Sequence, residues 1–431
     1  MIMRSVFFLS LIACFLACSP AKKLGLKKAF ESSEEKFQDH KGFVLYDLDE
    51  NRTIYAFNSN RYFTPGSNTK ILTFYTSLRL LGDSVPALKY IERNDSLIFW
   101  GTGDPSFLYK HTFNNFRVYN FLQQAQKPLF FSNSNFHTSP FGSGWAWDDY
   151  NDDYSAERSP FPVYGNVFTV ERLGSLLKVS PSFFDQFLAL GDRKKVEAVI
   201  RDVHSNDFCF HPGLKRGKSE WSVPMKVDQK LITDLLSDTL KRTVTPVFIR
   251  QPPITQPCYS ILTDSLYSIL MQKSDNFIAE QLLLMCADVV RDSLQPEIAI
   301  RYGLENFMRD LPDQPVWVDG SGLSRYNLIT PRTIIELWKR IYALVPKERL
   351  FPLLATGGVS GTIKRWYKGD KHPYIFGKTG TLSNNHVLSG FLITKSGKTL
   401  IFAFMNNNYV LSTNDIRANM QEILYRIYEN Y

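Results

Sequence analysis

Cysteine is scarce in this chain. Of the five present, Cys14 and Cys18 stand near the start, and Cys209, Cys258 and Cys286 are spread too widely to form a disulfide framework. At most one bridge can join the last three. Cys286, in the apolar run Leu282-Leu283-Leu284-Met285, reads as a buried free thiol. Histidine is equally sparse. None of the seven falls in an H-E-x-x-H or paired-ligand spacing, and Asp207-Phe208-Cys209-Phe210-His211 reads as a strand, not a metal site. Neither metal nor cofactor is expected. The net charge is +8, yet basic blocks are missing. Lys22-Lys23 and Lys194-Lys195 are short and acidic residues interleave, so a nucleic-acid arm is excluded. A mildly basic surface still suits an acidic polymer or an anionic membrane face. There is no internal repeat, no low-complexity tract and no apolar run long enough to cross a bilayer.

What is present begins with a targeting segment. Arg4 is a charged n-region and Val6 to Ala17 an apolar h-region. It ends at Leu16-Ala17-Cys18-Ser19-Pro20, where a small residue before Cys gives the look of a bacterial lipoprotein signal with Cys18 as the lipidated residue. Phe15 departs from the usual aliphatic at its place, and the alternative is an ordinary signal peptide. Residues 1–17 are therefore set apart, which predicts a cell-envelope protein on the periplasmic side, anchored to the membrane through Cys18.

The remaining length suggests more than one domain. Residues 23–38 read as an amphipathic helix. Gly42 to Asp47 and Thr53 to Phe57 read as strands around the turn Asp49-Glu50-Asn51-Arg52. Pro65-Gly66 breaks the chain. Ser67 then opens a helix whose Ile71, Leu72, Tyr75, Leu78 and Leu81 recur at helical spacing until Gly82. Residues 83–250 hold short β-like runs rich in Asn, Asp, Pro and Gly, a β-rich insert of one or two subdomains. Helical patterns return at 260–290, 295–310 and 331–345. His386 to Thr394 and Thr399 to Met405 form a hairpin about Lys395-Ser396-Gly397-Lys398. Asn414 to Tyr428 is a helix with Ile416, Met420, Ile423, Leu424 and Ile427 on one face. The expected fold class is α+β. A mixed helix and antiparallel-sheet domain, 18–82 with 251–431, is interrupted by the 83–250 insert.

Three short words carry chemistry. Ser67-Asn68-Thr69-Lys70 puts a hydroxyl and an amine three residues apart, on one face of a helix. A lysine becomes a base when burial or a nearby cation disfavours its charge, and Lys378 is a candidate for that cation. S-x-x-K recurs elsewhere, but only Ser67 follows a strand pair and a Pro-Gly break. Ser274-Asp275-Asn276 offers a hydroxyl to pass protons and an amide to hold a substrate amide. Ser383-Asn384-Asn385 shares that S-x-N pattern, and a helix N-cap is its bland reading. Lys378-Thr379-Gly380 occurs once. It is not the end of a phosphate loop, because His372 stands where the first glycine is required and a strand follows. On a strand edge Lys378 and Thr379 can bind a carboxylate, Gly380 lets a ligand approach, and the Thr381 amide with that of Ser67 can form an oxyanion hole. Gly101-Thr102-Gly103-Asp104-Pro105 is no dinucleotide loop, since its third glycine is absent and Pro105 disfavours a helix.

The three words in this order resemble the D-alanyl-D-alanine carboxypeptidase/endopeptidase family, the low-molecular-mass class C penicillin-binding proteins. Further words agree over essentially residues 25–431. They are Gly101 to Pro105, Gly144-Trp145-Ala146-Trp147-Asp148-Asp149, Lys273 to Glu280, Asp319 to Asn327, Gly358 to Thr362 and Gly377 to Leu382. The resemblance implies a penicillin-recognising, β-lactamase-like transpeptidase fold split after the S-x-x-K helix. It implies that Ser67 is acylated by D-Ala-D-Ala stem peptides of peptidoglycan, with Lys70 as base and Ser274 as proton relay. Asn276, Lys378 and Thr379 would bind substrate, and β-lactams would inhibit. It further implies that Asp149 meets the amine of a diamino acid, assisted by Tyr154, and that Arg325 touches substrate. Ser383 replaces a glutamine of some members. Two rivals stand beside this reading: a serine β-lactamase, and a non-catalytic peptidoglycan-binding protein.

Overall fold

The computed structural model describes residues 24–109, 112–174, 176–213 and 219–431. The expected signal segment and Cys18 lie outside these. Both ends of the chain build one antiparallel sheet. Its strands run in the order Ala355–Thr356, Ile375–Leu382, Asn385–Ile393, Thr399–Asn407, His40–Asp47, Arg52–Phe57. The strand Thr399–Asn407 is buried along its whole length, which explains its continuous apolar run. Successive side chains point to opposite faces, and here both faces are covered. Leu400, Phe402 and Phe404 pack with Phe30, Phe43, Ile416, Met420 and Leu424 of one core cluster. That layer contains the helices Leu26–Phe37 and Thr413–Asn430. Ile401, Ala403 and Met405 join a second cluster on the opposite face. It includes residues of the helices Lys70–Leu80, Asn276–Arg291 and Pro331–Leu344.

The stretch between Leu80 and Thr263 has a core of its own. Its five-stranded sheet runs Val244–Pro246, Leu129–Ser132, Ser96–Gly101, Ser84–Arg93, Gln256–Leu262, and two three-stranded sheets complete it. One apolar cluster, rich in Phe99, Phe131, Phe161, Phe168, Phe184 and Phe208, spans all three sheets. Pairing of Gln256–Leu262 with Ser84–Arg93 ties residues past 250, the boundary expected from composition, to the insert's sheet. The insert also carries the helices Arg117–Gln124 and Gln229–Leu240.

Two local differences from the sequence reading matter for the site. The helix expected from Ser67 begins with a tighter 3-10 turn, Gly66–Thr69, and becomes α-helical only at Lys70. The helical pattern at 260–290 is not continuous. Thr263–Ser268 passes into a π-turn, Ile269–Lys273, and Ser274 takes a left-handed φ of 63°. The chain restarts as a helix at Asn276 because the Asp275 carboxylate accepts from the Ile278 amide at 2.9 Å, an N-cap worth about 1 kcal/mol. The break turns Ser274 out of the helix and leaves Asn276 on its first turn.

Candidate active site

The turn holding Ser67 is locked onto the sheet by Asn68, which is fully buried. Its amide donates to the Lys378 carbonyl at 2.9 Å and accepts from Ser389 Oγ at 2.6 Å. Ser389 Oγ in turn accepts from the Trp338 indole at 2.9 Å. Gly380 makes the docking close: a Cβ there would lie 2.2 Å from the Pro65 carbonyl oxygen and 3.0 Å from the Ser67 amide nitrogen. What Gly380 makes room for is thus the turn itself, where the sequence suggested a ligand. A Cβ on Gly66 would likewise stand 3.1 Å from the Thr381 amide nitrogen. The segments carrying the Ser67 and Thr381 amides are therefore in direct contact.

Lys70 is fully buried. Its Nζ lies 3.0 Å from Ser67 Oγ, 2.6 Å from Asn276 Oδ1 and 2.6 Å from the Ser321 carbonyl oxygen. Burial pushes its pKa down to about 8, while Asp319, Glu280 and Asp275 pull it upward. The cation expected to depress Lys70, Lys378, is not what lowers it; the repulsion between the two falls on Lys378, whose own pKa is driven well down by burial and then by Lys70. Lys378 Nζ donates to Ser274 Oγ at 2.6 Å and to the Thr379 carbonyl at 2.7 Å. Thr379 Oγ1 donates to Thr362 Oγ1 at 2.7 Å. Thr381 Oγ1 is 2.8 Å from Nδ1 of His386, a ring whose pKa burial pushes down to about 3.

A cavity of about 460 Å³ opens over Ser67, and Asn276, Thr381, Asp149, Tyr154 and Arg325 line it with that serine. The loop carrying Asp148 and Asp149 thus reaches the same cavity as Ser67 and Asn276. Tyr154 donates to Asp149 at 3.0 Å, and the Asn276 amide donates to the Tyr154 carbonyl at 3.1 Å. Burial, with Asp148 and Asp152 adding to it, raises the Asp149 carboxyl against the pull of the Tyr154 hydroxyl. Arg325 reaches Ser383 through the backbone carbonyl, at 3.2 Å, so that contact does not depend on the side chain at 383. Lys70, Ser274 and Lys378 do not line this cavity; Ser274 lines a neighbouring one.

Beneath Lys70 lies a charged layer that the sequence reading did not assign. Glu280 accepts from the Ser321 amide at 2.7 Å, and its other oxygen is 3.7 Å from Arg158 Nε of the insert. Asp319 accepts from the Trp145 indole and from the amides of Gly322 and Ser324 at 2.7–2.9 Å. The signal was visible: Glu280 is a lone carboxylate in the apolar helix segment Phe277 to Ala287. Burial raises Glu280 to about 7, against Arg158. Glu280→Ala is expected to lose about 3–5 kcal/mol of stability by leaving Arg158 buried and unpaired. Glu280→Gln, which keeps an acceptor for the Ser321 amide, should lose less. Urea unfolding of the two variants checks the order; equal stabilities would contradict it.

Among the described residues no cluster of metal-ligating side chains occurs, and Cys209, Cys258 and Cys286 are free.

Comparison with known proteins follows the same lines. Over residues 26–204 and 254–427 the chain matches the D-Ala-D-Ala carboxypeptidase 3 (S13) family. It is 22% identical to D-alanyl-D-alanine carboxypeptidase DacB of Haemophilus influenzae, over 88% of this chain and 87% of that one. The crystal structure of penicillin binding protein 4 (dacB) from Haemophilus influenzae superposes with a TM-score of 0.72 at 21% identity, covering 92% of this chain and 98% of the other. Bd3459, a predatory peptidoglycan endopeptidase from Bdellovibrio bacteriovorus, superposes with a TM-score of 0.52 at 14% identity, covering 90% and 92%. These likenesses give the fold. With the family match over most of its length, the chain belongs to the D-Ala-D-Ala carboxypeptidase 3 (S13) family and is a hydrolase of that class.

Proposed function

We propose that Ser67 is the nucleophile of a serine D-Ala-D-Ala carboxypeptidase and that Lys70 is its base. The observation that carries this is the set of partners around Lys70 Nζ. A neutral amine has two N–H groups and one lone pair. Asn276 Oδ1 and the Ser321 carbonyl can only accept, and they take both N–H groups. The lone pair is left for the third partner, the Ser67 hydroxyl. Ser67 then attacks the penultimate D-Ala carbonyl with its proton passing to Lys70, and the oxyanion forms between the Ser67 and Thr381 amides. Ser274 accepts from Lys378, so its own hydrogen is available to relay a proton to the departing amine. Lys378 and Thr379 bind the terminal carboxylate, which offsets the burial that disfavours the Lys378 charge. Gly380 serves by admitting the Ser67 turn. Water hydrolyses the ester. No cofactor enters.

Asp149, with Tyr154, receives the amine of a diamino acid in the stem, and Arg325 holds substrate at the other wall of the cavity. We assign residues 1–17 as a lipoprotein signal with Cys18 as the anchored residue, on the periplasmic side of the envelope. Arg4, the apolar run and Ala17-Cys18 support this, and no helix among the described residues is long and apolar enough to cross a membrane. We divide the chain into a catalytic unit and an insert running from 83 to about 262, on the strand pairing described above.

The test is product release. The purified protein should free D-alanine from a disaccharide pentapeptide and hold a fluorescent penicillin as a slow-turning ester. Rapid penicillin hydrolysis without D-alanine release would identify a β-lactamase, and labelling with no peptide turnover a wall-binding protein. In the same assay Asp149→Ala should lower kcat/KM for a diamino-acid stem by about 10–150-fold, the value of a charged hydrogen bond of roughly 1.5–3 kcal/mol. Penicillin labelling should change little; equal loss in both would count against the role of Asp149.

A further inference from the structure

Asp149 stands on a loop with little regular structure of its own. Two 3-10 turns make it up, Trp147–Asn151 and Asp153–Ser155, and Asp149 lies in the first. The flanks of the loop are pinned to the catalytic unit. The Trp145 indole donates to Asp319 at 2.9 Å, and the Tyr154 carbonyl accepts from the Asn276 amide at 3.1 Å. Its middle is pinned elsewhere, to a small sheet of the insert whose strands run in the order Leu188–Leu190, Phe208–His211, Ala198–Arg201.

Ala198–Arg201 is an edge strand of that sheet, and along an edge every second residue turns its N–H and C=O away from the neighbouring strand. Loop side chains meet those groups on Val199 and Arg201. Asn151 Nδ2 donates to the Val199 carbonyl at 3.0 Å, and Asn151 Oδ1 accepts from the Arg201 amide at 2.8 Å. One side-chain amide thus makes the pair of bonds that a residue of a further strand would make. The Tyr150 hydroxyl donates to the Arg201 carbonyl at 3.3 Å. The Arg201 side chain is buried and donates to the carbonyls of Asp202 and Ser205 at 2.8 and 3.1 Å. Its guanidinium lies over the Tyr150 ring, 5.3 Å from the centroid. The two residues that follow Asp149 are therefore held in one register. A slip of one residue would set Asn151 against Ile200, whose N–H and C=O turn toward the strand Phe208–His211. Neither Asn151 nor Arg201 lines the cavity over Ser67.

We propose that Asn151, backed by Tyr150 and Arg201, is a positioning residue for amine recognition, and that the small sheet is the brace that holds Asp149 in place over the cavity. A charged hydrogen bond to an amine is short and tolerates little displacement. A carboxylate already in place costs nothing to order when the amine arrives, whereas one on a loose loop must be ordered at the expense of affinity. The brace acts on Asp149 alone. Ser67, Lys70 and Lys378 are tied to one another and to the sheet of the catalytic unit by bonds that do not pass through Asn151. Its removal should therefore weaken the hold on the amine and spare the acylation chemistry.

The inference rests on the role proposed for Asp149, and the test separates the two. Asn151→Leu keeps the volume, adds no charge to the acidic loop and removes both bonds; Asn151→Ala is a smaller second variant. Each is assayed on a disaccharide pentapeptide with a free diamino-acid amine and on the same peptide with that amine acetylated. Penicillin acylation reports the fold of the catalytic unit. The wild type should prefer the free amine. In both variants KM for the free-amine stem should rise about tenfold, the order of losing one or two hydrogen bonds, with kcat within about twofold of wild type. KM for the acetylated stem and penicillin acylation should stay at wild-type values. Placed on Asp149→Ala, Asn151→Leu should add nothing, because a brace has no effect once the carboxylate it holds is gone. An undiminished preference for the free amine in the variants, an equal loss on both stems or on penicillin, or an additive loss in the double variant would each overturn the brace. A wild type that treats the two stems alike would instead overturn the role of Asp149 on which it rests.

Discussion

Ser67→Ala is expected to take no covalent label from a fluorescent penicillin and to release D-alanine at least about 10⁴-fold more slowly than wild type. Removing a nucleophile ends covalent catalysis, and what remains is binding and oxyanion stabilisation. The substitution is structurally mild. Asn68, not Ser67, ties the turn to the sheet through Lys378 and Ser389, and the Ser67 hydroxyl has Lys70 as its described partner. The variant should therefore unfold at nearly the wild-type urea concentration. Intact-mass measurement after incubation with penicillin gives the answer directly. An adduct on Ser67→Ala would mean that another residue is acylated and would remove the basis for the roles given to Lys70 and Ser274.

Much of this was legible in the residues, and the misses have physical causes. The hairpin about Lys395 to Lys398 and the terminal helix with Ile416, Met420, Ile423, Leu424 and Ile427 buried were readable because local turn chemistry and apolar periodicity agree there. The break at Ser274 was not, since helical periodicity runs through it. What interrupts the helix is the left-handed Ser274 followed by the Asp275 carboxylate cap, and neither disturbs the apolar periodicity. A helix cap is the bland reading of the S-x-N word; Asp275 caps the helix, while Ser274 and Asn276 meet Lys378 and Lys70, so the cap describes only the middle residue. Gln256–Leu262 pairs with Ser84–Arg93 although it lies past the boundary at 250 that composition suggests; it stands next to helical sequence, so composition does not mark it as part of that sheet. The layer of Glu280, Asp319 and Arg158 eluded the motif reading because its members come from three distant segments. Glu280 alone, a charge among apolar helix residues, hinted at it.

If Lys70 is the base proposed above, its burial and the carboxylates beneath it should appear in the pH dependence of acylation. With Lys70 near pKa 8, about a tenth of the sites hold the neutral amine at pH 7. Penicillin acylation should rise about tenfold per pH unit below 8 and level off above it. Lys70→Arg, which cannot lose its proton, should acylate about 10²–10⁴-fold more slowly and show no such rise. A wild-type profile flat between pH 6 and 9 would rule out Lys70 as a base titrating there. The sign of a second shift follows from the groups around the amine. Asp319, Glu280 and Asp275 stabilise the ammonium and raise its pKa, while burial opposes them. Glu280→Gln deletes one negative charge but keeps an acceptor for the Ser321 amide, whose carbonyl holds Lys70. The ammonium becomes less stable, so the midpoint should move to lower pH; because Glu280 is itself raised to about 7, the variant should outpace wild type between about pH 7 and 8, and the two should converge below about pH 7, where Glu280 is already neutral. A midpoint moved upward would mean that Glu280 acts on Lys70 through the position of Ser321 and not through its charge.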